Sequence, residues 1–133
     1  MDDEQFLREF TDSYIRTGLW ADLYDARYER ADYPHDALNA GSEITAASRA
    51  EIDADCADFT AGAAEALGAA GRAGLDPRRC GGDFWLTRNR HGAGFWDGGY
   101  PEPTATLLTE LARPYGSAAF ARTSDGEITY ETG

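Results

Sequence analysis

Two amphipathic stripes constrain this chain more than any other feature. Phe6, Leu7, Phe10, Tyr14 and Ile15 recur at three- and four-residue steps, which predicts a helix over 4–24 with one apolar face. Asp2, Asp3 and Glu4 stand at its start, where the helix dipole favours carboxylates, and Trp20 and Leu23 extend the stripe or anchor its end. Ile52, Cys56, Phe59, Ala63 and the pair Ala66/Leu67 make a second stripe, predicting a helix over 46–69. Thr45, preceded by Ile44, is a good N-cap, and Ser48-Arg49-Ala50-Glu51 offers a second capping possibility one turn later. Glu51, Asp55, Asp58 and Glu65 fall largely on the opposite side of that helix.

The remaining segments read as connections and short strands. Residues 25–43, with Tyr28, Tyr33, Pro34, Asn39 and Gly41, break any periodicity and read as a long surface connection pinned by its tyrosines. Residues 68–82 are Gly- and Arg-rich with Pro77, and read as a loop. The aromatic, branched run 83–88 suits a strand, 89–94 has turn chemistry, and Phe95-Trp96-Asp97 reads as the returning strand of a hairpin. A third helix is expected over 103–115, with Leu107, Leu108, Leu111 and Tyr115 inward, Gly116 as the residue after its cap, and Pro114 marking a possible earlier end. Segments 118–123 and 127–131 flank Ser124-Asp125-Gly126, a strong hairpin signal. The expected order is ααββαββ: an α+β fold in which two long helices and one short helix pack on a small antiparallel sheet. At 133 residues this fits a single domain, 1–133, with a helical half (1–70) and a sheet half (71–133).

Charge is distributed unevenly between those halves. The formal net charge is -12, and all 12 basic residues are Arg. Residues 1–70 hold 16 acids and 5 Arg, whereas residues 71–133 hold 8 acids and 7 Arg. Bulk charge therefore disfavours nucleic acid as a partner, and the second half carries its own cluster of Arg72, Arg78, Arg79, Arg88 and Arg90. The acidic half reads either as a solvated helix surface or as a duplex-mimicking face. In the second case Glu51, Asp55 and Asp58 repeat at about 5–6 Å along a helix, near the phosphate spacing of one strand. No window approaches 18 apolar residues, so no membrane partner is expected. The acidic start Met1-Asp2-Asp3-Glu4, with no apolar signal segment after it, leads to an expectation of cytoplasmic localisation. Cys56 is expected as a small core residue on a helix and Cys80 as a loop residue, both reduced. Two isolated Cys and two distant His give no ligand spacing, so no metal is expected.

The most specific run is Asp83-Phe84-Trp85-Leu86-Thr87-Arg88-Asn89-Arg90-His91-Gly92-Ala93-Gly94-Phe95-Trp96-Asp97. Asp97 or Asp83 orienting His91 as general base, beside the Thr87 hydroxyl, would make a hydrolase-like constellation. Trp85 and Trp96 with Arg88 and Arg90 would instead stack on and hold a nucleotide or a single strand. A third reading is a rigid structural hairpin, its aromatics filling the core and Asn89 and His91 bonding the turn backbone. Gly92 and Gly94 lack the third glycine and the strand–helix context of a dinucleotide site, so no cofactor is expected.

The run 83–97 resembles a motif of small proteins from tailed phages, prophages and plasmids, where it reads approximately DFWLTRNGHGAGFWDRG. This chain has Arg90 and Gly98 where that pattern commonly has Gly and Arg. Tyr14-Ile15-Arg16-Thr17-Gly18-Leu19-Trp20 is similar to the family's early YxxxALW segment. Ile44 to Phe59, with Ala54-Asp55-Cys56, is similar to its IAPETLAKMIADCEAF helix. Tyr115-Gly116-Ser117 and Asp125-Gly126-Glu127-Ile128 resemble its C-terminal hairpin. The resemblance implies a mobile-element origin. It carries over no functional residues, and Arg90 implies a tolerant, exposed turn.

These readings converge on a non-enzymatic interaction protein that meets a host or phage macromolecule, expected to be a protein, through the acidic helical face. Host takeover or countering host defence are the roles such genes often serve. The alternative is a small enzyme, or a nucleotide- or nucleic-acid-binding domain, centred on 83–97. The binding candidates are thus Trp85, Arg88, Asn89, Arg90, His91 and Trp96 in the motif, with Glu51, Asp55 and Asp58 on the helix. His91, Asp97, Asp83 and Thr87 are the weaker catalytic set.

Overall fold

The structure is a computed structural model that describes residues 1–23 and 43–133. The connection expected over 25–43 lies almost wholly outside the described residues. Among the described residues four α-helices precede one hairpin: α1 (Asp3–Leu23), α2 (Ala46–Ala73), α3 (Pro77–Arg88), α4 (Thr104–Ala112), β1 (Ala118–Arg122) and β2 (Ile128–Thr132). Short 3-10 turns at Phe95–Asp97 and Arg113–Tyr115 flank α4. The fold is α+β with a two-stranded antiparallel sheet.

The first two helices follow their stripes. Phe6, Phe10, Tyr14, Ile15 and Leu19 of α1 are buried, and the Asp2 side chain accepts from the Gln5 N–H at 2.7 Å to cap its start. Thr45 caps α2 through Ser48 N–H, and Ile52, Cys56, Phe59 and Ala63 are buried along it. Gly68, at φ 73 and ψ 173, kinks α2, which runs on to Ala73 where a loop was expected.

The segment 83–88 is helical, which corrects the expectation of a strand. It is the C-terminal half of α3, and Phe95–Asp97 is a 3-10 turn instead of a returning strand. Asp76 caps α3 by accepting from Arg78 N–H, and Pro77 occupies its first turn, where the missing N–H costs nothing. Helix α3 contains Gly81 and Gly82, which argue against a helix on propensity alone. Packing on α1 overrides that preference. A β-carbon on Gly81 would lie 2.0 Å from the Phe10 carbonyl oxygen and 2.9 Å from Tyr14 N. Ser13 Oγ donates to Arg78 O at 2.6 Å and accepts from Gly82 N–H at 3.0 Å, so it joins both ends of one helical i→i−4 pair. Cys80, expected in a loop, is buried on this helix.

The core is aromatic and continuous. Phe59 stacks on Phe84 with centroids 4.1 Å apart, Phe10 and Phe95 each lie 5.8 Å from Phe59, and Trp85 meets Phe120 at 5.3 Å. Helix α4 buries Ala105, Leu108, Thr109 and Ala112, and half-buries Leu107 and Leu111. It ends at Ala112, and Pro114 falls in the following 3-10 turn.

The terminal hairpin forms as its turn signal indicates, with Phe120 opposite Tyr130 and Gly126 at φ 88. Its edges are closed by side chains and by the backbone before α2. Asn89 Oδ1 accepts from Ala118 N–H at 2.9 Å and Asp22 Oδ2 from Phe120 N–H at 2.8 Å along β1. On β2, Ser48 Oγ accepts from Tyr130 N–H at 3.0 Å, and Thr45 N–H donates to Ile128 O. Covering these groups removes the template for pairing with another strand.

Candidate functional site

Arg88 sits in the core with its side chain 1% exposed. Its Nη1 donates to Asp55 Oδ2 at 2.9 Å and to the hydroxyls of Tyr14 and Tyr130 at 3.0 Å each. Its Nε and Nη2 donate to the carbonyls of Gly116 (2.8 Å) and Tyr115 (3.1 Å). The two tyrosine hydroxyls are 2.6 Å apart, and Tyr130 donates to Asp55 at 2.7 Å. One guanidinium thus ties α1, α2, α3, the turn after α4, and β2. Burial works against its charge, but the neighbouring Tyr14, Asp55 and Tyr130 outweigh burial and raise its pKa. Burial pushes the Tyr14 and Tyr130 hydroxyls up, so both remain protonated donors. Arg88 and Asp55, expected on binding surfaces, are instead the centre of a structural network, and Trp85 is fully buried.

The next residues of the motif end α3. Arg90 N–H donates to Thr87 O at 3.1 Å and His91 N–H to Leu86 O at 3.0 Å, the paired bonds of a Schellman motif. The motif needs a left-handed residue after the cap, and Arg90 supplies it at φ 57. Asn89 Nδ2 donates to Trp85 O while its Oδ1 takes the β1 edge.

The glycine-rich stretch then turns back on α3. Thr87 Oγ1 accepts from Phe95 N–H at 3.1 Å, and Asp97 Oδ1 accepts from Gly94 N–H at 2.9 Å. A β-carbon on Gly94 would meet Thr87 Oγ1 at 2.5 Å and Trp96 Cζ3 at 2.6 Å. The indole of Trp96 therefore lies against the Gly94 backbone, while 44% of the residue stays exposed. Asp83 accepts from Tyr100 Oη at 2.7 Å, and burial raises its pKa above the usual carboxylate range. Cys80 Sγ lies 3.5 Å from Tyr100 Oη, and burial pushes its thiol up to about 11. Burial also pushes Cys56 up, so neither thiol is an activated nucleophile.

The four weaker catalytic candidates do not form an acid–base array. Thr87 and Asp97 accept from the adjacent Phe95 and Gly94 N–H groups, and Asp83 accepts from the Tyr100 hydroxyl, so all three are engaged in holding the fold. Among the described residues no hydrogen bond or ion pair joins the exposed His91 ring to either carboxylate. The Arg cluster also disperses. Arg72 pairs with Asp3 and lies over the Phe6 ring, Arg78 pairs with Glu9, Arg79 donates to Gly98 O, and Arg88 is internal.

What stays at the surface is smaller. A cavity of about 360 Å³ is lined by Thr87, Arg90, His91, Trp96 and Arg113. A second, of about 350 Å³, shares Trp96 and Arg113 with the first and includes Glu102, Thr106 and Glu110. Arg113 carries no signal in the sequence, because only the fold brings it to Trp96. Among the described residues, Arg90, His91 and Arg113 form no ion pair.

Helix α2 presents a different surface. Ala50, Ala54, Ala57 and Ala61 are exposed at i, i+4, i+7 and i+11, and Glu51, Asp58 and Glu65 are exposed beside them at seven-residue intervals. Asp58 accepts from Tyr115 Oη, and Asp53, also exposed, pairs with Arg49. Asp55, a quarter exposed, leaves this row for the core, so Glu65 takes its place. Among the described residues no helix is long and apolar enough to cross a membrane, and no group of three or more metal-ligating side chains gathers. Comparison with protein-family models, with curated proteins and with solved structures finds no match.

Proposed function

We propose that this chain is a non-enzymatic interaction protein of a phage or plasmid, acting in the host cytoplasm on a host or phage protein. The observation that carries this reading is the exposed face of α2, a smooth line of alanines bordered by Glu51, Asp58 and Glu65. Small side chains let a partner helix approach closely and lose little rotamer entropy on docking. The flanking carboxylates select a basic partner and steer its approach. The motif around His91 supports the same conclusion from the other side, because Asp83, Thr87, Arg88, Asn89 and Asp97 all bond within the fold. The resemblance of residues 83–97 to proteins of mobile elements supplies the proposed origin.

Affinity capture from host lysate with wild-type protein and with two variants, Ala57→Arg and Glu51→Lys/Glu65→Lys, tests this reading. Both variants change exposed positions and are expected to melt like the wild type. A partner retained by the wild type and lost with both variants is the expected result. Equal retention by all three proteins would discard the α2 face as the contact.

A further inference from the structure

We infer that the cavity between Trp96 and the end of α3 is a binding site for a free nucleoside monophosphate. The site is made of different residues from the α2 face and stands independently of it. Trp96 is the one large hydrophobic side chain of the 83–97 run that stays exposed, and its neighbours are held in place. Phe95 is buried, Asp97 holds the Gly94 backbone, and Gly94 leaves no room for a side chain under the indole. An exposed aromatic plane held in this way is preorganised, so a flat ligand stacking on it does not have to order the ring.

The surrounding charges define the rest of the ligand. Arg90 and His91 line the cavity from the end of α3, and Arg113 lines it from the end of α4. Two guanidiniums offer forked donors suited to phosphate oxygens, and the His91 ring adds a further N–H donor. The backbone supports this placement. Arg90 extends from the left-handed position of a Schellman motif, so both paired backbone bonds at that helix end fix where its side chain starts. Arg113 and Trp96 line both neighbouring cavities, so the cationic arm and the stacking plane are contiguous. A cavity of about 360 Å³ is at the small end of the range for small-molecule sites, roughly 300–1,000 Å³.

Charge also decides between a free nucleotide and a strand. Glu102 and Glu110 line the neighbouring cavity that Trp96 and Arg113 also border, and the chain carries a formal net charge of -12. A polyanion crossing the tryptophan meets those carboxylates, whereas one terminal phosphate stays within reach of Arg90 and Arg113. Screening over about 8 Å at physiological ionic strength mutes the remote acids of the helical half and leaves the local arginines effective.

Titration of ¹⁵N-labelled protein with adenosine monophosphate tests the assignment. The expected result is saturable shifts of the Arg90 and His91 amides and of the Trp96 indole N–H. Trp96→Ala and Arg113→Gln are each expected to weaken binding about tenfold or more, the scale of one lost base stack or one lost charged contact. Both side chains are exposed, and unchanged melting of the variants verifies that they fold. Adenosine and inorganic phosphate, given separately, are expected to shift these signals only weakly. Tighter binding of an oligoadenylate strand than of the mononucleotide overturns the free-nucleotide assignment. A response to polyglutamate with none to the nucleotide overturns it as well, as does an unshifted spectrum.

Discussion

Asp55 on α2 and Arg88 on α3 lie 2.9 Å apart, with the guanidinium almost wholly enclosed and the carboxylate a quarter exposed. The pair is asymmetric, so its two halves are not equally costly to lose. Asp55→Ala leaves a buried cation facing only hydroxyls and carbonyls, and is expected to cost about 3 kcal/mol. Arg88→Met removes all five donated bonds, stranding the Tyr115 and Gly116 carbonyls and the Tyr14 and Tyr130 hydroxyls as well as the carboxylate, and is expected to cost more. Urea unfolding of the two variants checks this order, and the reverse order would refute the network's asymmetry.

Arg90 occupies a left-handed backbone position at φ 57, where a β-carbon is strained. The exposed side chain makes no hydrogen bond or ion pair among the described residues to offset that strain. Arg90→Gly is therefore expected to stabilise the fold by about 1 kcal/mol, while removing one cation from the Trp96 cavity. Thermal melting measures the first effect and nucleotide titration the second. A lower melting temperature for the glycine variant would contradict the strain argument.

The helical stripes and the terminal hairpin were legible because their signals are local. Phe6 to Ile15, Ile52 to Ala63, and Ser124-Asp125-Gly126 each act within a few residues. Helix α3 was not legible, because Phe84-Trp85-Leu86-Thr87 has the composition of a strand and Gly81-Gly82 that of a loop. What overrides both is the α1 backbone, which approaches so closely that only glycine fits at 81. Asp76-Pro77 did carry a start signal for α3. The site was less legible still. Arg88 finds Asp55, Tyr130 and Tyr14 at separations of 33, 42 and 74 residues, and Tyr14 reads as part of an apolar stripe until its hydroxyl finds a buried partner.

Asp83 gives a pH-dependent prediction. Burial raises its folded-state pKa despite the Tyr100 hydrogen bond and the nearby Arg79. A carboxyl whose pKa rises on folding binds its proton more tightly in the native state. Its ionised form therefore lowers stability above the folded pKa, and that penalty disappears as the pH falls below the ordinary carboxylate range. Asp83→Asn keeps an acceptor for the Tyr100 hydroxyl and has no charge to bury. The variant is expected to melt at or above the wild-type temperature at pH 7, and its advantage is expected to shrink by pH 4. Paired melts at the two pH values check the sign, and an advantage that grew on acidification would disprove the assignment.

Gly94 is where the fold and the exposed tryptophan are coupled. Its missing side chain makes room for both Thr87 Oγ1 and the Trp96 ring, each within 2.6 Å of where a β-carbon would stand. Gly94→Ala has to move one of them. Thr87 is fixed by the Phe95 N–H and buried, whereas Trp96 is partly exposed, so the indole is the group expected to shift. The expected cost is about 1–3 kcal/mol of overpacking. The indole N–H resonance of Trp96 is expected to move further than that of the buried Trp85. Gly92→Ala is the matched control, since nothing lies within 4 Å of its β-position. It is expected to leave both stability and the Trp96 resonance unchanged. Equal effects of the two substitutions would show that Gly94 does not hold the tryptophan in place.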